Sequence, residues 1–235
     1  MTVLTGREWT TLILIVVFSL IPAFGGLIRL LELAGGPSML PGNPRALADP
    51  LPVILHILGS FVFCIAGAIQ FLPSLRRHHP TTHRMIGRVM VIAGLLSAVT
   101  GLWMTCFFTF PDAIQGNLLF SARIILSFAM IGLLGWAIIA VRARSFTRHG
   151  ASMLRAYAIG QGASTQALLG IAWIITFGTE PTGFLRDCFM VLCWVLNILA
   201  AEVLIHLFIA KLRPSTQAPV ETGPQVALVR HQVEL

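Results

Sequence analysis

Long apolar segments recur along the whole chain, and they constrain the fold more than any other feature. Each approaches or exceeds the roughly 20 residues that an α-helix needs to cross a bilayer. Of the 235 residues, 56% are hydrophobic and 11% are charged, and the mean hydropathy is +0.85. An ordinary soluble domain carries about 25% charged residues. The chain is therefore predicted to be an integral membrane protein.

The apolar segments predict six membrane spans joined by short connections. The expected fold is an all-α polytopic membrane helix bundle with six transmembrane helices, in one domain over residues 1–213. The polar residues 214–235, which include Pro219 and Pro224, are predicted to form a disordered cytoplasmic tail. The predicted spans cover about residues 9–33, 51–75, 84–110, 116–141, 151–178 and 184–210.

Basic residues cluster on one side of the predicted spans. By the positive-inside rule this side is cytoplasmic. The protein is therefore predicted to lie in the plasma membrane of a bacterium, with both termini on the cytoplasmic side. The net charge of +7 is explained by basic residues that set the topology and contact lipid headgroups. No soluble module accompanies the basic residues, so nucleic acid is not an expected partner. The basic residues at this side are Arg76, Arg77, Arg84, Arg88, Arg142, Arg144, Arg148, Lys211 and Arg213.

Several familiar chemistries lack their sequence motifs. The chain contains no CxxC pair, no HExxH and no glycine-rich phosphate loop, which argues against a zinc module, a dithiol redox site and the common soluble enzymes. Candidate functional residues must therefore be sought among the polar side chains that enter the spans. Ionisable residues at that depth are expensive and are usually paired, hydrated or functional.

One group of candidates lies near the inner ends of the spans. His83 and His149 sit at two similar arginine-rich junctions, and His206 lies roughly 6–8 Å inside the sixth span. Neutral imidazoles can ligate a metal or haem iron. Arg88 and Arg155 lie at a similar depth, where they could face haem propionates or another anion. These five residues are the predicted cofactor-binding set, with haem b as the candidate cofactor, although each histidine alone also fits an interfacial packing role.

Further polar residues could complete a network with this set. Gln70 lies near the inner end of the second span, and Glu202 lies one helical turn from His206. Glu202 could orient His206 through a hydrogen bond, or it could form an ion pair with Arg155 or Arg88.

A second pair of polar residues lies in the outer half of the predicted membrane-spanning region. His56 and Arg123 each lie roughly 8–10 Å inside their helices, so they could meet at one depth. A polar pocket or a hydrogen-bonded packing layer would account for them.

The combined pattern resembles a family of predicted bacterial multi-span membrane proteins that is classified as a domain of unknown function. The likeness covers about residues 50–210, and Ser152 and Gln166 depart from the expected pattern, standing in place of an aromatic residue and an arginine. The family supplies no accepted reaction. A looser architectural similarity links the chain to membrane b-type cytochromes. The likeness rests on His56, Gln70-Phe71, His83-Arg84-x-x-Gly87-Arg88, His149-x-x-x-Met153-x-Arg155-x-Tyr157, and Trp194-x-x-Asn197 followed by Glu202.

Three functions remain open at the level of sequence. The first is electron transfer with haem b or in association with a quinone, which would require a membrane redox partner or a membrane complex. The second is a proton- or anion-coupled transporter. The third is a non-catalytic membrane subunit or small-ligand sensor. Stripes of small residues on the third and fifth spans are compatible with a homo-oligomer as well as with packing inside one chain.

Overall fold

The computed structural model describes residues 4–212, with side chains described as far as Leu207. This part of the chain is helical and contains six helical spans long and apolar enough to cross a membrane, which confirms the predicted fold class. The predicted tail at 214–235 lies outside the described residues. The helices are α1 (Gly6–Leu33), α2 (Pro44–Ala48), α3 (Pro50–Gln70), α4 (Pro73–His78), α5 (Pro80–Phe107), α6 (Asn117–Arg142), α7 (Phe146–Gly160), α8 (Gly162–Phe177) and α9 (Gly183–Leu212).

Proline sets several of these boundaries. The second span ends at Gln70, earlier than predicted, and the separate helix α4 begins at Pro73. α5 begins at Pro80, four residues before the predicted start of the third span. Proline has no backbone N–H to donate and suits the first turn of a helix, so each proline favours a new helix start.

Because the spans alternate in direction, the bundle has two distinct ends. We call the end with the start of α1 and the end of α9 the termini end, and the opposite end the loop end. The termini end corresponds to the predicted inner side. At the loop end, the buried carboxylate of Asp187 in α9 accepts hydrogen bonds from the backbone N–H groups of Gly116 and Leu119, both at 3.1 Å. This cap ties the start of α6 to α9.

The core lies where α3, α5, α6 and α7 meet. Phe63, Met90, Leu134 and Tyr157 are buried there. Most large apolar side chains outside this core are exposed, as expected for helices that face the hydrocarbon of a bilayer. The protein is therefore a membrane-embedded bundle in direct contact with lipid.

The fifth span is broken, whereas the sequence predicted one continuous helix over 151–178. α7 ends at Gly160, Gln161 forms a turn, and α8 begins at Gly162. Glycine is a weak helix former, so the two glycines that flank Gln161 lower the cost of the interruption. Two side chains of α9 bond to carbonyls in the last turn of α7: Trp194 Nε1 donates to Ile159 O at 3.1 Å and Asn197 Nδ2 donates to Ala158 O at 3.3 Å.

Candidate functional site

A cavity of about 460 Å³ lies between the six spans and reaches from the loop end toward the middle of the bundle. Its mouth includes Arg45 and Phe110 from the loop-end connections and Arg123 from α6, and its walls include His56. Its floor lies at Gly160, beside the break in the fifth span. Gln161 keeps right-handed helical backbone angles, and its N–H donates to Tyr157 O at 2.9 Å, so the interruption is confined to one turn.

Two guanidinium groups stand at the mouth of the cavity. The guanidinium carbon of Arg45 lies 4.6 Å from the centre of the Phe110 ring, and that of Arg123 lies 5.4 Å from the same centre. Arg45 Nη1 donates to Thr109 O at 3.3 Å, but its Nε is buried and has no hydrogen-bond partner. Arg123 donates to the side-chain oxygen of Gln115. Among the described residues, neither guanidinium forms a salt bridge.

His56 is held in the wall of the cavity by α5. Its Nδ1 lies 2.9 Å from Ser97 O and 3.3 Å from Thr100 Oγ1. Because a carbonyl oxygen only accepts, Nδ1 carries the proton in this arrangement and donates to Ser97 O. Ser60 and Ser97 form a hydroxyl pair at 2.6 Å beside it. His56 and Arg123, predicted to share one depth, thus line the same cavity.

The floor of the cavity contains a buried polar network that the sequence did not reveal. Gln161 Nε2 donates to Ser19 Oγ and to Tyr157 Oη, both at 2.7 Å, and its Oε1 accepts from Ser164 Oγ at 2.7 Å. Tyr157 Oη donates to Cys64 O at 2.7 Å. These contacts join α1, α3, α7 and α8. Polar residues in the middle of apolar segments were the only sequence signal for this network. Their hydrogen-bond partners could not be predicted, because most of them lie far away in the sequence.

The predicted residues at the termini end form separate contacts. Arg155 and Glu202 make a two-point salt bridge, with Nε to Oε1 at 2.5 Å and Nη2 to Oε2 at 2.7 Å. Of the two roles left open for Glu202, the ion pair is the one formed. His206 is exposed and makes no hydrogen bond to Glu202 in the part of the chain that the structure describes. Gln70 Nε2 donates to the carbonyl of His83 at 3.0 Å.

The two junction histidines have different surroundings. His149 Nδ1 lies 2.9 Å from Ala137 O, whereas His83 Nδ1 is buried without a hydrogen-bond partner. Arg88 is exposed and forms no salt bridge with the described residues. Residues 4–207 contain no group of three or more His, Cys, Asp or Glu side chains that could hold a metal ion.

The family model described as Predicted membrane protein (DUF2306) matches residues 53–205. The chain belongs to this family. No curated protein and no solved structure matches the chain significantly. The resemblance seen in the sequence is confirmed, while nothing in the comparisons supports the looser likeness to membrane b-type cytochromes.

The DUF2306 match covers most, but not all, of the cavity. His56, Arg123 and Ser164 lie within the matched residues 53–205, whereas Arg45 and Ser19 precede them. Two of the cavity's polar contributions therefore come from the segment before the matched region. The sequence did not identify Arg45 as a candidate, because candidates were sought inside the predicted spans and Arg45 lies in a connection between two spans.

Proposed function

We propose that this DUF2306 protein binds a small amphiphilic molecule with an anionic head group in the loop-end cavity. The observation that carries the proposal is the pair of guanidiniums at the mouth, Arg45 and Arg123, which form no salt bridge with the described residues. A buried or half-buried cation that forms no salt bridge is costly in a membrane protein. A carboxylate or phosphate head would form one, and the unpartnered Arg45 Nε would donate to it.

The remainder of the cavity suits the apolar body of such a ligand. Phe61, Leu126 and Met130 line it below the arginines, and scattered hydroxyls of Ser60 and Ser127 supply hydrogen-bonding groups. Ligand pockets generally combine a mostly apolar wall with a few well-placed polar groups. His56 would assist at the head group through its Nε2, because its Nδ1 is engaged with Ser97. A binding or sensing role follows from this chemistry, which needs no redox partner.

Replacing Arg123 with glutamine tests the proposal. Native mass spectrometry of the purified protein with decanoate and with uncharged decanol would measure binding. We expect decanoate to bind more tightly than decanol, and Arg123→Gln to weaken decanoate binding by about tenfold to a hundredfold, the factor for losing a hydrogen bond to a charged group.

Arg142→Gln is the matched control. It removes the same charge from an exposed position in the last turn of α6, at the termini end, and should leave decanoate binding unchanged. Equal binding of decanoate and decanol would refute the proposal. So would an equal loss in both variants, because that result would indicate a general charge effect.

A second candidate function is haem-dependent electron transfer, and the hydrogen bond between His149 Nδ1 and Ala137 O favours it. Histidine ligands commonly use one ring nitrogen for a backbone carbonyl and leave the other for the metal, which is the arrangement at His149. A haem b held by His83 and His149 would supply one-electron transfer. Arg155 is committed to Glu202, so Arg88 is the arginine left to meet a propionate.

A reduced-minus-oxidised visible spectrum decides this second candidate. Protein purified after expression with ample haem should show a Soret band if the candidate is correct, and His149→Ala should abolish it. The exposed His206 provides the control, since His206→Ala should retain the band. If the Soret band is absent under both oxidising and reducing conditions, this candidate is eliminated, and the cavity proposal is unaffected.

A further inference from the structure

A second, smaller cleft lies at the termini end, away from the cavity. It has a volume of about 220 Å³ and opens between α6, α7 and α9. Its lining residues are Trp136, Thr147, Arg148, Ala151, Ser152, Arg155 and Ile205. Neither the family match nor the proposed cavity function accounts for it.

One residue of the cleft is almost completely buried and offers a hydroxyl that has no partner. Ser152 is 3% exposed, and its hydroxyl makes no hydrogen bond to any residue in the described part of the chain. A ligand that accepts a hydrogen bond in the cleft would give this hydroxyl a partner.

The charge of the cleft is positive. Arg155 is balanced by Glu202 through their two-point salt bridge, but Arg148 makes neither a salt bridge nor a hydrogen bond with the residues that the structure describes. One net positive charge therefore remains, next to the hydroxyls of Thr147 and Ser152. An anion with several oxygen acceptors matches this arrangement.

The position of the cleft indicates the source of the anion. Arg148 lies in the first turn of α7, and Arg155 lies about 10 Å farther along the helix axis. Trp136 is 50% exposed beside them, and tryptophan favours the boundary between lipid headgroups and hydrocarbon. Basic pockets between membrane helices at this depth suit lipid head groups.

We propose that the cleft binds the phosphate of an anionic phospholipid. Arg148 supplies the attracting charge, and the hydroxyls of Ser152 and Thr147 donate hydrogen bonds to the phosphate oxygens. The acyl chains lie along Trp136, on the lipid-facing surface of the bundle. The same geometry disfavours a choline head group, because its quaternary ammonium would face the positive charge of Arg148.

Native mass spectrometry with defined lipids tests this assignment. The purified protein is exposed to equal amounts of dioleoylphosphatidylglycerol and dioleoylphosphatidylcholine, and the lipid that remains bound is counted. We expect a preference for one phosphatidylglycerol. Arg148→Gln should reduce its binding by about fivefold, the factor associated with one basic residue near a membrane surface.

Two further variants separate the site from its surroundings. Arg84→Gln removes an exposed charge from α5 at the same end of the bundle and should leave the preference unchanged. Ser152→Ala should weaken phosphatidylglycerol binding even if Arg148→Gln cannot be purified. Equal losses in Arg148→Gln and Arg84→Gln, or an unchanged affinity in Ser152→Ala, would overturn the proposal. Displacement of the lipid by inorganic phosphate alone would reassign the cleft to free phosphate.

Discussion

Gly67→Ala is expected to destabilise the protein by about 3 kcal/mol, at the upper end of the usual range for an overpacked core. A Cβ at this position would lie 2.1 Å from Tyr157 Cε2 and 2.6 Å from Tyr157 Cδ2. The ring has little room to retreat because Tyr157 is 5% exposed and packs against Phe63 and Phe71. Moving it would also break the hydrogen bond from Tyr157 Oη to Cys64 O.

The midpoint of thermal unfolding in detergent measures this effect. Gly132→Ala in α6 is the matched control, since the position is exposed, and a Cβ there would meet nothing within 4 Å. Alanine favours a helix over glycine by about 1 kcal/mol, so this variant should unfold at the same temperature or higher. If both variants unfold at the wild-type temperature, the close contact between Gly67 and Tyr157 does not exist in the folded protein.

Gln161→Leu is expected to destabilise the protein by removing hydrogen bonds from the polar network at the floor of the cavity. The substitution removes the acceptor of Ser164 Oγ, which is 1% exposed, and the donor to Ser19 Oγ. Leaving a buried hydroxyl without a partner costs about 1–3 kcal/mol. The variant should also bind decanoate more weakly, because Ser19 and Ser164 both line the cavity.

A double-mutant cycle isolates the contact. If Ser164 depends on Gln161, then adding Ser164→Ala to Gln161→Leu should restore part of the lost stability, since no hydroxyl is left unpaired. Strictly additive losses in the thermal midpoint would show that the two side chains do not interact. The comparison uses the whole protein and does not depend on knowing the natural ligand.

The spans were predictable because membrane insertion depends on properties local to each segment. An apolar run near 20 residues forms a helix across the bilayer whatever its neighbours are, since its backbone groups must bond internally. Helical rise predicts a similar depth for His56 and Arg123, and both residues line the same cavity. The break at Gln161 was missed, because the average hydropathy of the fifth span hides a single turn between Gly160 and Gly162.

The ion pair between Arg155 and Glu202 shows the limit of this approach. The sequence offered it beside a contact between Glu202 and His206, and both satisfied the helical spacing. Which partner Glu202 contacts depends on how α7 and α9 are rotated about their axes. Helical spacing within one helix does not determine this rotation. The same rotation directs His206 outward.

Hydropathy along the chain predicts a six-span helical membrane protein, and the motifs of the chain indicate its family. The packing of the helices brings Arg45 and Arg123 to the mouth of one cavity, bonds Gln161 to the cavity residues Ser19 and Ser164, and buries Ser152 in a separate cleft. Hydropathy and helical rise act along one helix, whereas a binding site depends on which faces of several helices meet.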